Sequence, residues 1–175
     1  MKASKIIYFG AGVFVGAILL FLLQQSELLR RSKTPSEFLR LHWHGGWATD
    51  GDIWVYPDDS YRVRHYNSHS GVIETERSGR HQGLFSGLVA TADARHAWQI
   101  TTASLSDEVA TLTPKGHVLG VMDSNHAFLE FRLTDRTLVA DFYAADSFAK
   151  SLPEAQQLQS FAALEGAFYQ INLIK

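Results

Sequence analysis

From Gly45 onward, apolar residues recur at every second position, and a side-chain period of two is the signature of strands with one face turned into a core. In "DIWVY", Ile53 and Val55 oppose Trp54 and Tyr56. In "SYRVRHY", Tyr61, Val63 and His65 oppose Ser60, Arg62 and Arg64, and in "AFLEFRL", Ala127, Leu129, Phe131 and Leu133 oppose Phe128, Glu130 and Arg132. The first two runs are joined by the turn composition Pro57-Asp58-Asp59-Ser60, and the third is a natural hairpin partner of "TLVADFY". Further strands are expected over Val72–Arg77, Gly83–Thr91, Trp98–Ser104, Val109–Thr113, His117–Asp123 and Thr137–Tyr143, with turns at Ser78-Gly79-Arg80, Thr113-Pro114-Lys115-Gly116 and Thr134-Asp135-Arg136. Such spacing predicts a mainly β domain over residues 45–175, either an antiparallel β-barrel or a strongly bent sheet, with one or two short helices. One helix is expected after Pro153, where Leu158, Phe161 and Ala162 fall at helical spacing and Gly166 can end the run; "FYQINLI" then reads as a closing strand.

The segment before this domain has a different character. Ile6 to Leu23, "IIYFGAGVFVGAILLFLL", is eighteen residues without charge or proline, about 27 Å as a helix, which matches a bilayer core. A single N-terminal transmembrane helix is expected over residues 6–23, behind a tail of residues 1–5. That tail carries Lys2 and Lys5 like a secretory n-region, but "LLQQSELLRR" follows the apolar run instead of a small-x-small cleavage site, so an uncleaved signal anchor is the expectation. Arg30, Arg31 and Lys33 on the far side balance the positive-inside count. Analogy with single-pass envelope proteins favours a cytoplasmic N-terminus in a bacterial inner membrane and a periplasmic domain. Gly12 and Gly16 form a GxxxG, a spacing at which a second helix can pack closely, although glycine is common in membrane helices anyway. Residues 24–44 read as a juxtamembrane linker and a short helix. The basic end of "QQSELLRRSK" suits anionic headgroups or a solvated linker equally. Thr34 as N-cap, Pro35 at N1 and Glu37 at N3 predict about two helical turns with Phe38 and Leu41 on one side.

Charge and residue inventory exclude several chemistries. Residues 1–33 carry five Lys or Arg against Glu27 alone, and the remainder carries eleven basic against seventeen acidic residues. An acidic domain with scattered arginines argues against nucleic-acid binding. The absence of cysteine removes disulfides, thiol catalysis and thiolate metal sites. Among eight histidines, His42-Trp43-His44 places two imidazoles on one side of an extended chain, and His65 and His69 flank a loop. Neither pair has a Cys, Asp or Glu at recognised ligand spacing, so no metal or cofactor is expected. Asp50-Gly51-Asp52 and Asp58-Asp59 lack the twelve-residue calcium loop and read as turn residues. No nucleophile elbow, P-loop, dinucleotide fingerprint or His-Glu-x-x-His occurs, and no catalytic residue is assigned. The aromatics Trp43, Trp47, Trp54, Tyr56, Tyr61, Phe85, Trp98, Phe131 and Phe142 either fill the core or line an apolar cavity. For a cavity, Tyr61, Val63 and His65 are the candidate wall, with Trp47 and Trp54 near the mouth.

At Gly45-Gly46-Trp47 followed by "DIWVYPDDSYRVRHY", the layout is similar to lipocalin-like (calycin) domains, in which a Gly-x-Trp first strand precedes a hairpin with a Pro-Asp turn. Here the element is Gly-Gly-Trp. Anchor and β domain together resemble the periplasmic companions of membrane-embedded winged-helix transcription activators, the ToxS and VtrC type, with "VYPDDSYRVR" and "TDRTLVADFY" contributing at residue level. The resemblance implies a non-enzymatic role in which the extracytoplasmic domain binds and stabilises a membrane partner, in some members around a small apolar, bile-salt-like ligand. The alternatives are an accessory or assembly subunit of a larger membrane complex, and an enzyme with an unmarked site.

Overall fold

The strand that organises the domain lies just upstream of the alternating region. The computed structural model describes residues 36–45, 50–115, 124–171 and 173, all within one compact unit, Ser36–Lys175. The expected membrane helix over 6–23 with Gly12 and Gly16, the strand expected over His117–Asp123, and Trp47 lie outside the described residues. Among those described, no helix is long and apolar enough to cross a membrane.

The strands are β1 Phe38–His44, β2 Asp50–Val55, β3 Ser60–Tyr66, β4 Ile73–Arg80, β5 His126–Arg132 and β6 Thr137–Tyr143. Between β4 and β5 come α1 Leu84–Ala94, a 3-10 turn at Ala97–Gln99 and α2 Thr102–Leu112; after β6 come α3 Ala145–Ser151 and α4 Gln156–Ile171. Every strand pairing is antiparallel, in the order β4-β3-β2-β1-β5-β6. The expected barrel is not closed: the described strands form one six-stranded antiparallel sheet with β4 and β6 as its edges, and four α-helices stand where one or two short ones were expected. After β4 the chain leaves the sheet for helices instead of continuing the meander.

The core follows from the pattern. Leu39, Leu41 and Trp43 of β1 stand on the same side as their partners Val55, Ile53, Phe131 and Leu129. Against that side pack Leu88, Leu105, Leu158, Phe161, Leu164 and Phe168 from the helices. Burying each large side chain of this kind contributes about 1.5–3 kcal/mol.

Several expected elements are corrected. The short helix after Thr34 is replaced by β1, because Leu39, Leu41 and Trp43 alternate with Arg40 and His42 and the strand finds a neighbour on each edge. Glu37 does not cap a helix; its carboxylate accepts from the Thr134 backbone N–H at 2.8 Å. Gly83–Thr91, Trp98–Ser104 and Val109–Thr113 are not strands. Leu84, Phe85, Leu88, Val89 and Ala92 lie at helical spacing on the core side of α1, as do Leu105, Val109 and Leu112 on α2. A reciprocal capping box starts α2: Ser104 N–H donates to Thr101 Oγ1 and Thr101 N–H to Ser104 Oγ, each at 3.0 Å. "FYQINLI" does not form a closing strand, because Phe168 and Ile171 continue the buried stripe of Leu158, Phe161 and Leu164, and α4 runs through Gly166. Ser78-Gly79-Arg80 lies within β4, and Asp50-Gly51-Asp52 opens β2 instead of forming a turn.

The Asp58-Asp59 pair does serve the β2–β3 turn, and more. Asp59 adopts a left-handed backbone (φ 63°) and accepts from Gly83 N–H at 2.8 Å and Phe85 N–H at 3.0 Å, so its negative charge caps α1 from the turn. Hydrogen bonds from Ser60, and then from Arg80, hold the Asp58 carboxyl down at about 2.

Gly51 is required by a close approach. A Cβ there would overlap the Trp43 indole and sit 2.6 Å from the Arg64 carbonyl oxygen. Gly51→Ala is expected to cost about 1–3 kcal/mol of stability through overpacking, read as a lower melting temperature of the full chain with unchanged secondary structure by circular dichroism.

Candidate functional site: the helix-free face of the sheet

Period two puts a second set of side chains opposite the core, and among the described residues no helix covers them. The core contains no residue of this face. At its centre Arg40 lies between two carboxylates, 3.9 Å from Asp52 and 3.8 Å from Glu130. Both acids are almost fully shielded, at 4% and 9% exposure. Charges so shielded require partners. Glu130 takes a 2.7 Å bond from Arg132 Nε, and Asp52 Oδ2 accepts from the Tyr66 hydroxyl at 2.7 Å. Burial first, and the hydrogen bond to Asp52 second, raise the Tyr66 phenol above its ordinary value, so it stays a donor.

Toward the start of β1 the face becomes a ladder of rings and guanidinium groups. Arg132 lies 5.7 Å over the Phe38 ring, Phe38 and Trp54 are 5.0 Å apart, and Arg40 lies 4.7 Å over Trp54. Trp54 also stacks on Tyr56 at 6.5 Å. Trp, Tyr and Arg are the residues that most often carry binding energy at protein interfaces, because they combine large area with directional polar groups.

Toward the end of β1 the same face carries imidazoles. His44 and His126 are cross-strand partners with ring centroids 5.0 Å apart, and His42 and His44 are separated by 6.1 Å. His126 Nε2 is 2.6 Å from Asp141 Oδ2, and Asp141 also accepts from the Thr102 hydroxyl at the start of α2. Burial, followed by the nearby Arg40 charge, holds His42 below its ordinary value. With the side chains as they stand, no three described His, Asp or Glu groups are arranged to hold a metal ion.

The sequence-derived cavity residues divide between the two faces. Trp54 belongs to the ladder. Tyr61 and Val63 face the core, and His65 meets Trp43 edge-on at 5.6 Å. Val63 and His65, with Thr75, Glu76 and Arg77, border an open groove of about 410 Å³ along β3 and β4. Tyr61 is adjacent, with Arg77 6.0 Å over its ring. Trp54 therefore lies through the sheet from the other three. Sequence reasoning missed Phe38, Arg40, Asp52, Glu130 and His126; the available signal was the alternation of Arg40 and His42 with Leu39, Leu41 and Trp43.

A second titratable pair lies within the core side. Glu165 of α4 is 7% exposed, and its Oε2 has no hydrogen-bond partner. Burial pushes its carboxyl up to about 7, and burial likewise raises Tyr169, one turn further on. Below the ordinary value of 4.5 both the folded and unfolded chains hold this proton. Between 4.5 and about 7 only the folded chain does, so stability falls as pH rises, and above about 7 the loss is complete at about 3 kcal/mol. Glu165→Gln is expected to flatten this part of the melting-temperature profile between pH 4.5 and 7; an unchanged slope would assign it to other groups.

No protein-family model matches the chain, and no curated protein matches it.

Proposed function

We propose that this chain is a non-enzymatic, single-pass membrane protein of the bacterial inner membrane, whose periplasmic domain uses the helix-free face of its sheet to bind and stabilise a membrane protein partner. The supporting observation is the Arg132–Phe38–Trp54–Arg40 ladder, an arrangement of interface-type residues on a face that no helix covers among the described residues. The apolar run over 6–23 and the layout shared with ToxS and VtrC-type companions support the membrane setting. In this reading Gly12 and Gly16 add a helix–helix contact within the bilayer.

The experiment is chemical crosslinking in native membranes, mild-detergent extraction of the tagged full chain, and identification of co-purifying proteins by mass spectrometry. One stoichiometric partner is expected. Trp54→Ala should reduce its recovery about tenfold or more, the size of a hot-spot loss of 2 kcal/mol or so, with circular dichroism showing that the variant stays folded, since Trp54 lies outside the core. Gly12→Leu with Gly16→Leu should reduce recovery further. Recovery that survives Trp54→Ala would remove the open face from the account.

The groove beside Val63 and His65 favours a second function for the same protein, the sensing of a small apolar or amphiphilic ligand. A bile-acid-like amphiphile that raises the melting temperature of the wild-type chain would support it through linkage. No shift across an amphiphile panel would leave partner binding as the whole role.

A further inference from the structure

We propose that His42, His44 and His126 form a binding site for one divalent transition-metal ion on the helix-free face, with zinc the representative metal. Sequence spacing hides this set, because His126 lies far along the chain and joins the His-Trp-His pair only through the β1–β5 register. Residues two apart on a strand point to the same side, so His42 and His44 share a face. His44 and His126 are directly opposite one another, which places their Cβ atoms about 4.5–5.5 Å apart. Two strand residues span about 6.5 Å. Three imidazoles rooted on such a triangle can each bring a nitrogen to about 2.0–2.1 Å from a common ion.

The rings do not converge as they stand, and what separates them from convergence is side-chain rotation, with no change of register. His44 is exposed and free to turn. The Nδ1 atom of His42 is buried without a hydrogen-bond partner, so no hydrogen bond at that atom has to break when the ring turns. Asp141 holds His126 through Nε2, which leaves Nδ1 as the coordinating nitrogen and reproduces the carboxylate–histidine–metal relay that orients such ligands.

The surroundings favour a cation. Asp52 lies directly opposite His42, and its Oδ1 is buried with no partner. Asp50 at the start of β2 and Asp141 on β6 add further negative charge. The opposing charge is Arg40, whose guanidinium lies between Asp52 and Glu130. Three nitrogen ligands leave a fourth tetrahedral position for water on the open side. Nitrogen donors of this kind take copper(II) and zinc ahead of magnesium or calcium.

The test uses the full chain in mild detergent, purified on a tag without histidines and stripped with chelator, then titrated calorimetrically with zinc chloride. One zinc per chain is expected at pH 7.5. Cobalt(II) in place of zinc should give the intense visible bands of four-coordinate cobalt. His44→Ala and His126→Ala should each weaken zinc binding by about tenfold or more, and Asp141→Asn by about tenfold. His69→Ala and His96→Ala, exposed histidines elsewhere, serve as controls and should change nothing. Circular dichroism identifies any variant that unfolds; His44→Ala removes only an exposed ring and decides the matter alone if His126→Ala unfolds. No stoichiometric uptake, or uptake indifferent to His44→Ala, overturns the proposal. The partner experiment reads Trp54 at the opposite end of β1, so the two proposals fail independently.

Discussion

The alternation along β1 is the constraint on which the rest of the domain depends. Leu39, Leu41 and Trp43 are buried on one side, while Arg40 and His42 stand on the other. Because β1 is central, each residue from Leu39 to Trp43 is flanked by a neighbour from β2 and one from β5. A slip of one residue would exchange the two sets and place a guanidinium and an imidazole in the hydrophobic core. The register is therefore fixed by the core, and the composition of the open face is fixed along with it.

Two consequences follow for the surface. The helices seal the Leu39 side, and the Arg40 side has to satisfy its charges from its own residues, which produces the Asp52–Arg40–Glu130–Arg132 chain of ion pairs. The sheet edges are handled differently. At β6, Thr102 from the start of α2 accepts from the Asp141 backbone N–H at 3.0 Å and so occupies an edge group. β4 is exposed along its length, and Glu74, Glu76, Arg77 and Arg80 supply the charge that discourages strand addition at an open edge.

The sequence makes the strands legible where alternation is strict and turn residues bound it: Thr137–Tyr143 is read to the residue, and the face assignments in β2, β3 and β5 hold. It misleads where local chemistry and tertiary context conflict. Thr34, Pro35 and Glu37 write a helix start, but a strand paired along both edges outweighs a cap worth about 1 kcal/mol. In residues 84–112, short apolar runs suit a buried strand or a helix equally, and the choice falls to the sheet's need for cover. The open face was legible only as alternating positions. Its ion pairs, its aromatic ladder and its third histidine join residues about ninety positions apart, and no local spacing carries that information.

The most direct test of the account asks which face of the sheet meets a partner in the membrane. A photo-crosslinking residue placed singly at Arg62 or Phe128, on the open face, or at Gln99 or Ser151, exposed on the helix side, reports contact in native membranes without disturbing the core. The account predicts a discrete crosslinked species from the open-face positions and none from the helix-side positions. Crosslinks confined to the helix side would contradict it.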